Sequence, residues 1–575
     1  MPAIPITELN VNKKARSKTI DLHGHDLIRE PLLNKGGAFS AEERAAFGLE
    51  GLLPVRTVNI EMQVQRMYRN LQNYGDPLQK FVYLASLQDR NEHLYFRLLS
   101  EYLEELLPII YTPTVGLVTR KYSHIFQRGR GIWISPDMRG RIAPALKTAA
   151  RGRDVRLIVA TDNESILGIG DQGAGGMAIA IGKLALYTAG AGIDPATVLP
   201  VSLDVGTENA ALLSDERYLG WPQRRLRGAE YESLLDEFVT AVGSCFPGAL
   251  VQWEDFRKDN ALAVLDRYVD QLPSFNDDIQ GTGAVALAGI LSAERIHGRR
   301  LVDERVLILG AGAAGLGITR QIRAALCAEG ISADRARHQI AVLDSRGLLV
   351  NDGGIRDAYK QEMAWDPAFA KNLGLTAQHE LQSVVNKFRP TVLIGTSGQP
   401  GAFHEHIVRA TSNVVDRPLI MPLSNPTDQS EAVPAEVLDW SAGQALIATG
   451  SPFPDVIRGE RRVRVGQGNN AFIFPGVGLG ALLAGTSRVT DDLFYAAAKA
   501  LAGMVSEHEL NSGLLYPPIS RLREVSTAVA SAVMRAAVEE GLCPALKEAD
   551  MQKRLSEGVW TPEYQDYVPA ERSMD

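Results

Sequence analysis

Apolar residues recur at helical spacing through EMQVQRMYRNLQNYG (61–75) and PLQKFVYLASLQDRNEHLYFRLLSEYLEELLP (77–108), after a polar arm. The spacing predicts an α-helical region reaching about residue 110. Beyond it the pattern changes. RLIVATD (156–162), TVLPVSLDVG (197–206) and GALVQWEDF (248–256) are short β-branched or apolar runs ending in acids or glycine. Helical stretches separate them, GMAIAIGKLALYTAG (176–190) and EYESLLDEFVTAVGSCF (230–246). A second alternation follows: helix AVALAGILSAERIHG (284–298), strand RVLIL (305–309), helix GITRQIRAALCAEG (317–330) and strand QIAVLD (339–344). Two more buried-strand candidates are PTVLIGTS (390–397) and RPLIMPLSNPT (417–427). Amphipathic helices close the chain, DDLFYAAAKALAGMVSEHE (491–509) and REVSTAVASAVMRAAVEEG (523–541), the second with Gly541 placed as a C-cap.

Strands alternating with helices predict an α/β fold with parallel sheets. The expected order is a mainly helical region (1–125), a first α/β domain (126–282) and a doubly wound Rossmann-type domain (283–478). C-terminal helices that pack back on the first α/β domain, and a tail, complete it (479–575). A chain of 575 residues exceeds one hydrophobic core, which fits this division. The net charge of −8 gives no general attraction to nucleic acid or an acidic membrane surface. Three widely spaced cysteines argue against a disulfide framework or a thiolate metal site and fit a reducing compartment. The first twenty residues lack the apolar core of a signal peptide, and no run of about 18 apolar residues predicts a membrane span. A cytoplasmic enzyme acting on a small molecule, with no nucleic-acid or membrane partner, is the expectation.

Two stretches carry G-x-G-x-x-G between a strand and a helix: Gly168 to Gly173 and Gly310 to Gly315. Each has an acid at a later strand end, Asp204 and Asp344, more than 30 residues on. That exceeds the usual spacing of roughly 20, so spacing does not choose between them. Charge does. Around Gly310, Gly312 and Gly315 every variable position is alanine, so backbone can approach a diphosphate seated at the helix N-terminus. The first turn contains Asp171, whose carboxylate would repel the diphosphate. Asp344 is then the ribose partner, which points to NAD, while Arg346 and Lys360 leave NADP open. Elsewhere, Glu254–Asp255 and Asp277–Asp278 each follow an apolar or aromatic run, with neither histidine nor cysteine nearby. Together they would make an all-oxygen site suited to Mg²⁺ or Mn²⁺; taken singly, such pairs are ordinary solvated surface acids.

With YTPTVG (111–116), ILGIGDQG (166–173), GKLALYTAG (182–190), WEDF (253–256), FNDDIQGT (275–282), SNPT (424–427) and GQGNNAFIFPG (466–476), the chain resembles the malic enzymes. The resemblance runs in order from PLLNKGGAFS (31–40) to WTPEYQDY (560–567). It implies metal-dependent oxidative decarboxylation of L-malate to pyruvate and CO₂ with NAD(P), by a homodimer or homotetramer. It implies Tyr111 as the acid that protonates the enol and Lys183, depressed in pKa, as the base. Asp277 would pair with the lysine, and Glu254, Asp255 and Asp278 would hold the metal. Asp278 and Asn425 would also face the cofactor, with Asn425 and Asn469 contacting substrate and the nicotinamide end. The first glycine turn would line the active site.

One position departs from the family pattern. TDNESILGIGD (161–171) has Ser165 where the family usually carries an arginine that grips a malate carboxylate. The related malolactic enzymes also lack it, and GAGIDPATVLPVSLDVG (190–206) and VVNKFRPTVLIGTSGQPG (384–401) are similar to theirs. YTPTVG and Gln172 are not. Conversion of malate to lactate with retained NAD, or a malate-binding regulator that has lost catalysis, stays open at this point. Arg66 and Arg90 are candidates for binding an allosteric acid.

Overall fold

The computed structural model describes residues 17–459 and 461–570, so most of the N-terminal polar arm lies outside the described residues. Two parallel sheets organise the molecule. The first runs Ile132–Ile134, Val198–Leu203, Leu157–Thr161, Leu250–Glu254, Ser274–Asn276 across its width. Its two central strands are buried at every position, which is why they read as unbroken apolar runs. Leu157 faces Val198 on one side and Leu250 on the other, while Thr161 faces Glu254. After Val198–Leu203 the chain crosses to the opposite side of Leu157–Thr161. That reversal opens a crevice beyond the carboxyl ends of Leu157–Thr161 and Leu250–Glu254.

The second sheet has seven strands: Gly466–Gln467, Leu446–Thr449, Leu419–Pro422, Val392–Gly395, Val306–Leu309, Ile340–Asp344, Gly347–Leu348. All pairs are parallel except the last. The chain enters in the middle, at Val306–Leu309, moves to Ile340–Asp344, then returns to the other side at Val392–Gly395. A second switch point therefore lies just beyond Leu309, where Gly310 begins the alanine-glycine turn.

The helical run Gly173–Ala191 is long and apolar enough to cross a membrane by length and composition alone. It is a core element instead: 94% of its most apolar window is buried inside the protein. Its only charged residue is Lys183. C-terminal helices Phe474–Ala484 and Leu522–Glu539 pack on its last turn, and glycines 476 and 480 bring the two within contact of Val529 and Ala530.

The tail returns to the start of the chain. Tyr567–Pro569 pairs in parallel with Lys18–Ile20, and the His93 ring lies 5.3 Å from Trp560 and 5.8 Å from Tyr564. Burial, helped by Lys18 and Lys35, lowers the His93 pKa to about 4. A histidine kept neutral in the fold but protonated when unfolded supports stability above its unfolded value near 6.5. That support is lost as pH falls through about 4. His93→Phe should keep the ring packing and remove about 3 kcal/mol of this acid sensitivity. The check is denaturant unfolding from pH 7 to 4, wild type against variant. Parallel stability–pH curves would refute it.

Candidate active site and cofactor cleft

Adjacent acids in a regular strand point to opposite faces. Asp255 escapes that rule because it leaves the strand in the left-handed region, at φ +56°, just after Glu254. Its backbone N–H donates to Asp278 Oδ2 at 2.8 Å. Asp278 sits in the turn Asp277–Gly281, which Asn276 caps by accepting from Ile279 N–H. One oxygen from each of Glu254, Asp255 and Asp278 falls within 4.8 Å of the others.

Glu254 and Asp255 are buried, and among the described residues Asp255 Oδ2 and Asp277 Oδ1 have no hydrogen-bond partner. Burial raises all three clustered carboxyls, and their mutual repulsion adds to it, with Asp278 pushed up to about 6. Converging buried acids with a free oxygen are uncomfortable without a cation. An all-oxygen donor set of this kind fits Mg²⁺ or Mn²⁺.

Lys183 reaches the same acids from the buried helix. Its Nζ hydrogen-bonds Asp277 Oδ2, lies 2.9 Å from Glu254 Oε1, and faces the rings of Phe474 at 4.4 Å and Tyr111 at 5.4 Å. Burial would lower its pKa, but Asp277 and Glu254 outweigh burial and the protein groups alone hold it well above the ordinary lysine value. The sequence-based expectation of a depressed value counted burial, the cation and the pairing with Asp277, and did not count Glu254 as a second carboxylate in contact. Tyr111 ends helix Leu103–Ile110 and is 7% exposed. A Cβ at Gly182 would meet Ile110 O and the Tyr111 ring at 3.1 Å, so glycine there lets the tyrosine lie against the lysine helix. Burial, reinforced by the neighbouring acids, keeps the Tyr111 phenol protonated.

Two partners, Asn470 and Gln252, escaped sequence reasoning. Asn470 Nδ2 donates to Asp277 Oδ2 at 3.2 Å and to Thr282 Oγ1 at 3.1 Å. Its neighbour Asn469 uses its side chain to cap Ala471 N–H. Gln252 donates to Glu254 Oε2 at 2.8 Å and accepts from Tyr187 Oη. The strand period gives the signal for Gln252, which lies two residues before Glu254 and so on the same face; nothing local separates Asn470 from Asn469.

The two glycine turns do different things. In the first, Ile166 bridges to Gly170, with Leu167, Gly168 and Gly170 at positive φ, which makes a tight loop. It braces the acids: Ser165 N–H donates to Asp255 O at 3.0 Å and Leu167 N–H to Asp255 Oδ1 at 3.4 Å. Asp171 is fully engaged by Arg225, Thr207 Oγ1 and the N–H groups of Gly173 and Glu208. Burial alone would raise it, but these donors hold it below the usual carboxylate range.

In the second turn, Gly310 has φ +125° and its Cα packs on Thr396, while a Cβ on Gly315 would strike Gly310 O at 1.9 Å. A Cβ on Gly312 would meet nothing, so this glycine faces open space at the N-terminus of helix Ala313–Ala328. That is the approach a diphosphate needs. Asp344, at the end of the neighbouring strand, accepts from Lys360 Nζ at 2.5 Å and Arg346 N–H at 2.8 Å.

The two sites touch. A Cβ on Gly317 would lie 2.0 Å from Ile279 O, and one on Gly283 would lie 2.6 Å from Gly317 O. The helix opened by the second glycine turn therefore rests on the turn that carries Asp278. Across the crevice, Asn425 accepts from Ser451 Oγ at 2.6 Å, and its carbonyl lies 3.6 Å from the position a Cβ on Gly168 would take. Arg66 and Arg90 are exposed on the helical region, and among the described residues neither pairs with an acid of the site.

Comparison with known proteins places two domains on this chain: "Malic enzyme, N-terminal domain" on residues 88–269 and "Malic enzyme, NAD binding domain" on 279–538. It is 44% identical to the NAD-dependent malic enzyme 2 of Photobacterium profundum over 544 residues, 95% of this chain and 97% of that one. Against the NAD-dependent malic enzyme of Pseudomonas aeruginosa it is 45% identical over 549 residues, with 95% and 97% covered. Among solved structures, the Entamoeba histolytica malic enzyme shares its fold at a TM-score of 0.54 and 21% identity, covering 89% of this chain and 91% of that one.

Proposed function

Because this chain belongs to the malic enzyme family, we propose that it converts L-malate to pyruvate and CO₂ as NAD is reduced. The observation that carries this reading is the meeting of Tyr111, Lys183 and Asp277 with the three-acid cluster at one sheet's switch point. The alanine-glycine turn stands at the other.

Glu254, Asp255 and Asp278 would hold Mn²⁺ or Mg²⁺, which when bound supplies a Lewis acid for the malate C1 carboxylate and C2 oxygen. NAD, on Gly310–Gly315 with Asp344 at its adenine ribose, supplies the hydride acceptor. Lys183 Nζ takes the C2 hydroxyl proton, with Asp277 holding the amine in place and Asn470 holding Asp277. Glu254 serves both the lysine and the ion position, so the charge state of Lys183 is set at the carboxylate that also binds the ion. Tyr111, kept neutral by burial, then delivers a proton to C3 of the enol. The assembly is a homodimer or homotetramer on this reading.

Ser165 favours one second reading, malate to lactate with NAD retained, because a neutral residue stands where the family usually carries a cation. Incubation with L-malate, NAD⁺ and Mn²⁺ separates the two. Pyruvate with equivalent NADH at 340 nm is expected. Lactate without accumulating NADH would replace the oxidative reading.

A further inference from the structure

Charge at the site is out of balance. Glu254, Asp255, Asp277 and Asp278 together outweigh Lys183 and one divalent ion by a single negative charge, before a dicarboxylate substrate brings two more. Repulsion of that size in a buried crevice needs another cation at its rim. Ser165, alongside Asp255, offers only a neutral hydroxyl.

The neighbouring arginines differ in what they have left to give. Arg225 has no side-chain exposure and is tied to Asp171 and the Asp162 carbonyl. Arg227 is exposed, yet it grips Glu164 through two 2.7 Å contacts. Lys258 turns away to pair with Asp357. Arg257 is different. Its side chain is 49% exposed and, among the described residues, its one ion pair, to Glu164 Oε1, is a loose 3.5 Å.

Backbone geometry fixes where it stands. The bonds from Ser165 and Leu167 to Asp255 lay segment 164–167 alongside 254–257. Arg257, two residues after Asp255, thereby reaches Glu164, the residue that precedes Ser165 in the chain. We propose that Arg257 is the carboxylate-binding cation for the substrate, reaching from the second strand's end to the place beside the neutral Ser165. This rests on malate, or a dicarboxylate like it, being the substrate. A guanidinium with one long contact keeps most of its donors for a bidentate grip.

The test is Arg257→Ala and Arg257→Lys in the full chain, with kinetics for malate and NAD measured separately. Calorimetric titration of malate into Mn²⁺-loaded protein accompanies them. Arg257→Ala should raise the malate KM and the calorimetric Kd about 10- to 100-fold, the worth of a charged hydrogen-bonded pair. The NAD KM should stay within about twofold and kcat should fall far less than kcat/KM, as expected for lost binding shared by ground and transition states. Arg257→Lys should lie between, and Ser165→Arg in the alanine background should recover malate binding. An unchanged malate KM, or malate and NAD constants rising together without rescue, would overturn the assignment. A wild type that binds malate through Arg257 without turning it over fails the catalytic reading and keeps this one.

Discussion

Lys183→Arg lowers kcat for malate oxidation by about 10³-fold, within the range that a positioned general base contributes. Arginine keeps the positive charge between Asp277 and Glu254 but does not release a proton near neutral pH. The variant thus separates proton transfer from charge balance. Lys183→Ala loses both. It should be as inactive, and its metal-free form should be less stable by about 3 kcal/mol, because two buried carboxylates lose their cation. Mn²⁺ should restore more stability to the alanine variant than to wild type, since the ion then carries the whole task of neutralising the cluster. Steady-state kinetics and denaturant unfolding with and without Mn²⁺ check all three. Near-normal kcat in Lys183→Arg would remove the lysine from the chemistry.

Asp255→Asn gives the second large effect, with opposite signs on function and stability. Asparagine tolerates the left-handed backbone at φ +56°. It also keeps an oxygen for the Leu167 N–H, so the turn is preserved and one ligand charge is lost. Mn²⁺ affinity should fall on the order of 100-fold or more, at least matching the loss seen when only a supporting group around a metal is removed. Turnover at micromolar Mn²⁺ falls with it. The metal-free protein should become more stable by about 1 kcal/mol at pH 7, because burial and repulsion hold the Asp255 carboxyl's pKa above its unfolded value. Such a penalty is small at pH 4, close to the unfolded-state value of about 3.9, and grows as pH rises toward the folded-state pKa. The gain should therefore shrink toward pH 4. Unfolding of the EDTA-treated pair at pH 4 and pH 7 reads this directly, and equal stability at pH 7 would contradict it.

The central strands were legible because a buried parallel strand has no polar face to interrupt its apolar run, as in Leu157–Thr161 and Val306–Leu309. Ile132–Ile134 and Ser274–Asn276 were not, since three residues show no period. At the site, residue type and motif order picked out the acids, Lys183 and Tyr111. The left-handed Asp255, which brings two adjacent acids to one place, leaves no clear sequence signal because an aspartate after a strand is more often in ordinary backbone. The lysine's raised pKa was equally hidden: beside the expected partner Asp277, it depends on Glu254 also closing on the amine, at 2.9 Å. The first glycine turn was told apart from a dinucleotide loop by Asp171 itself; what the sequence did not show is the carboxylate's partner, Arg225, 54 residues on.

The bare-backbone crossing of Gly283, Gly317 and Ile279 matters to anyone who would rebuild this protein by recombination. Exchanging the cofactor half for that of another dehydrogenase, to alter which dinucleotide is used, invites a junction in the gap between the two domains. A donor helix with even alanine opposite Ile279 would push on the carbonyl one residue from Asp278. Crossovers placed ahead of Asp277 let the turn and both glycines travel as one inherited block; crossovers placed after it would deliver chimeras whose cofactor seat and acid cluster no longer fit.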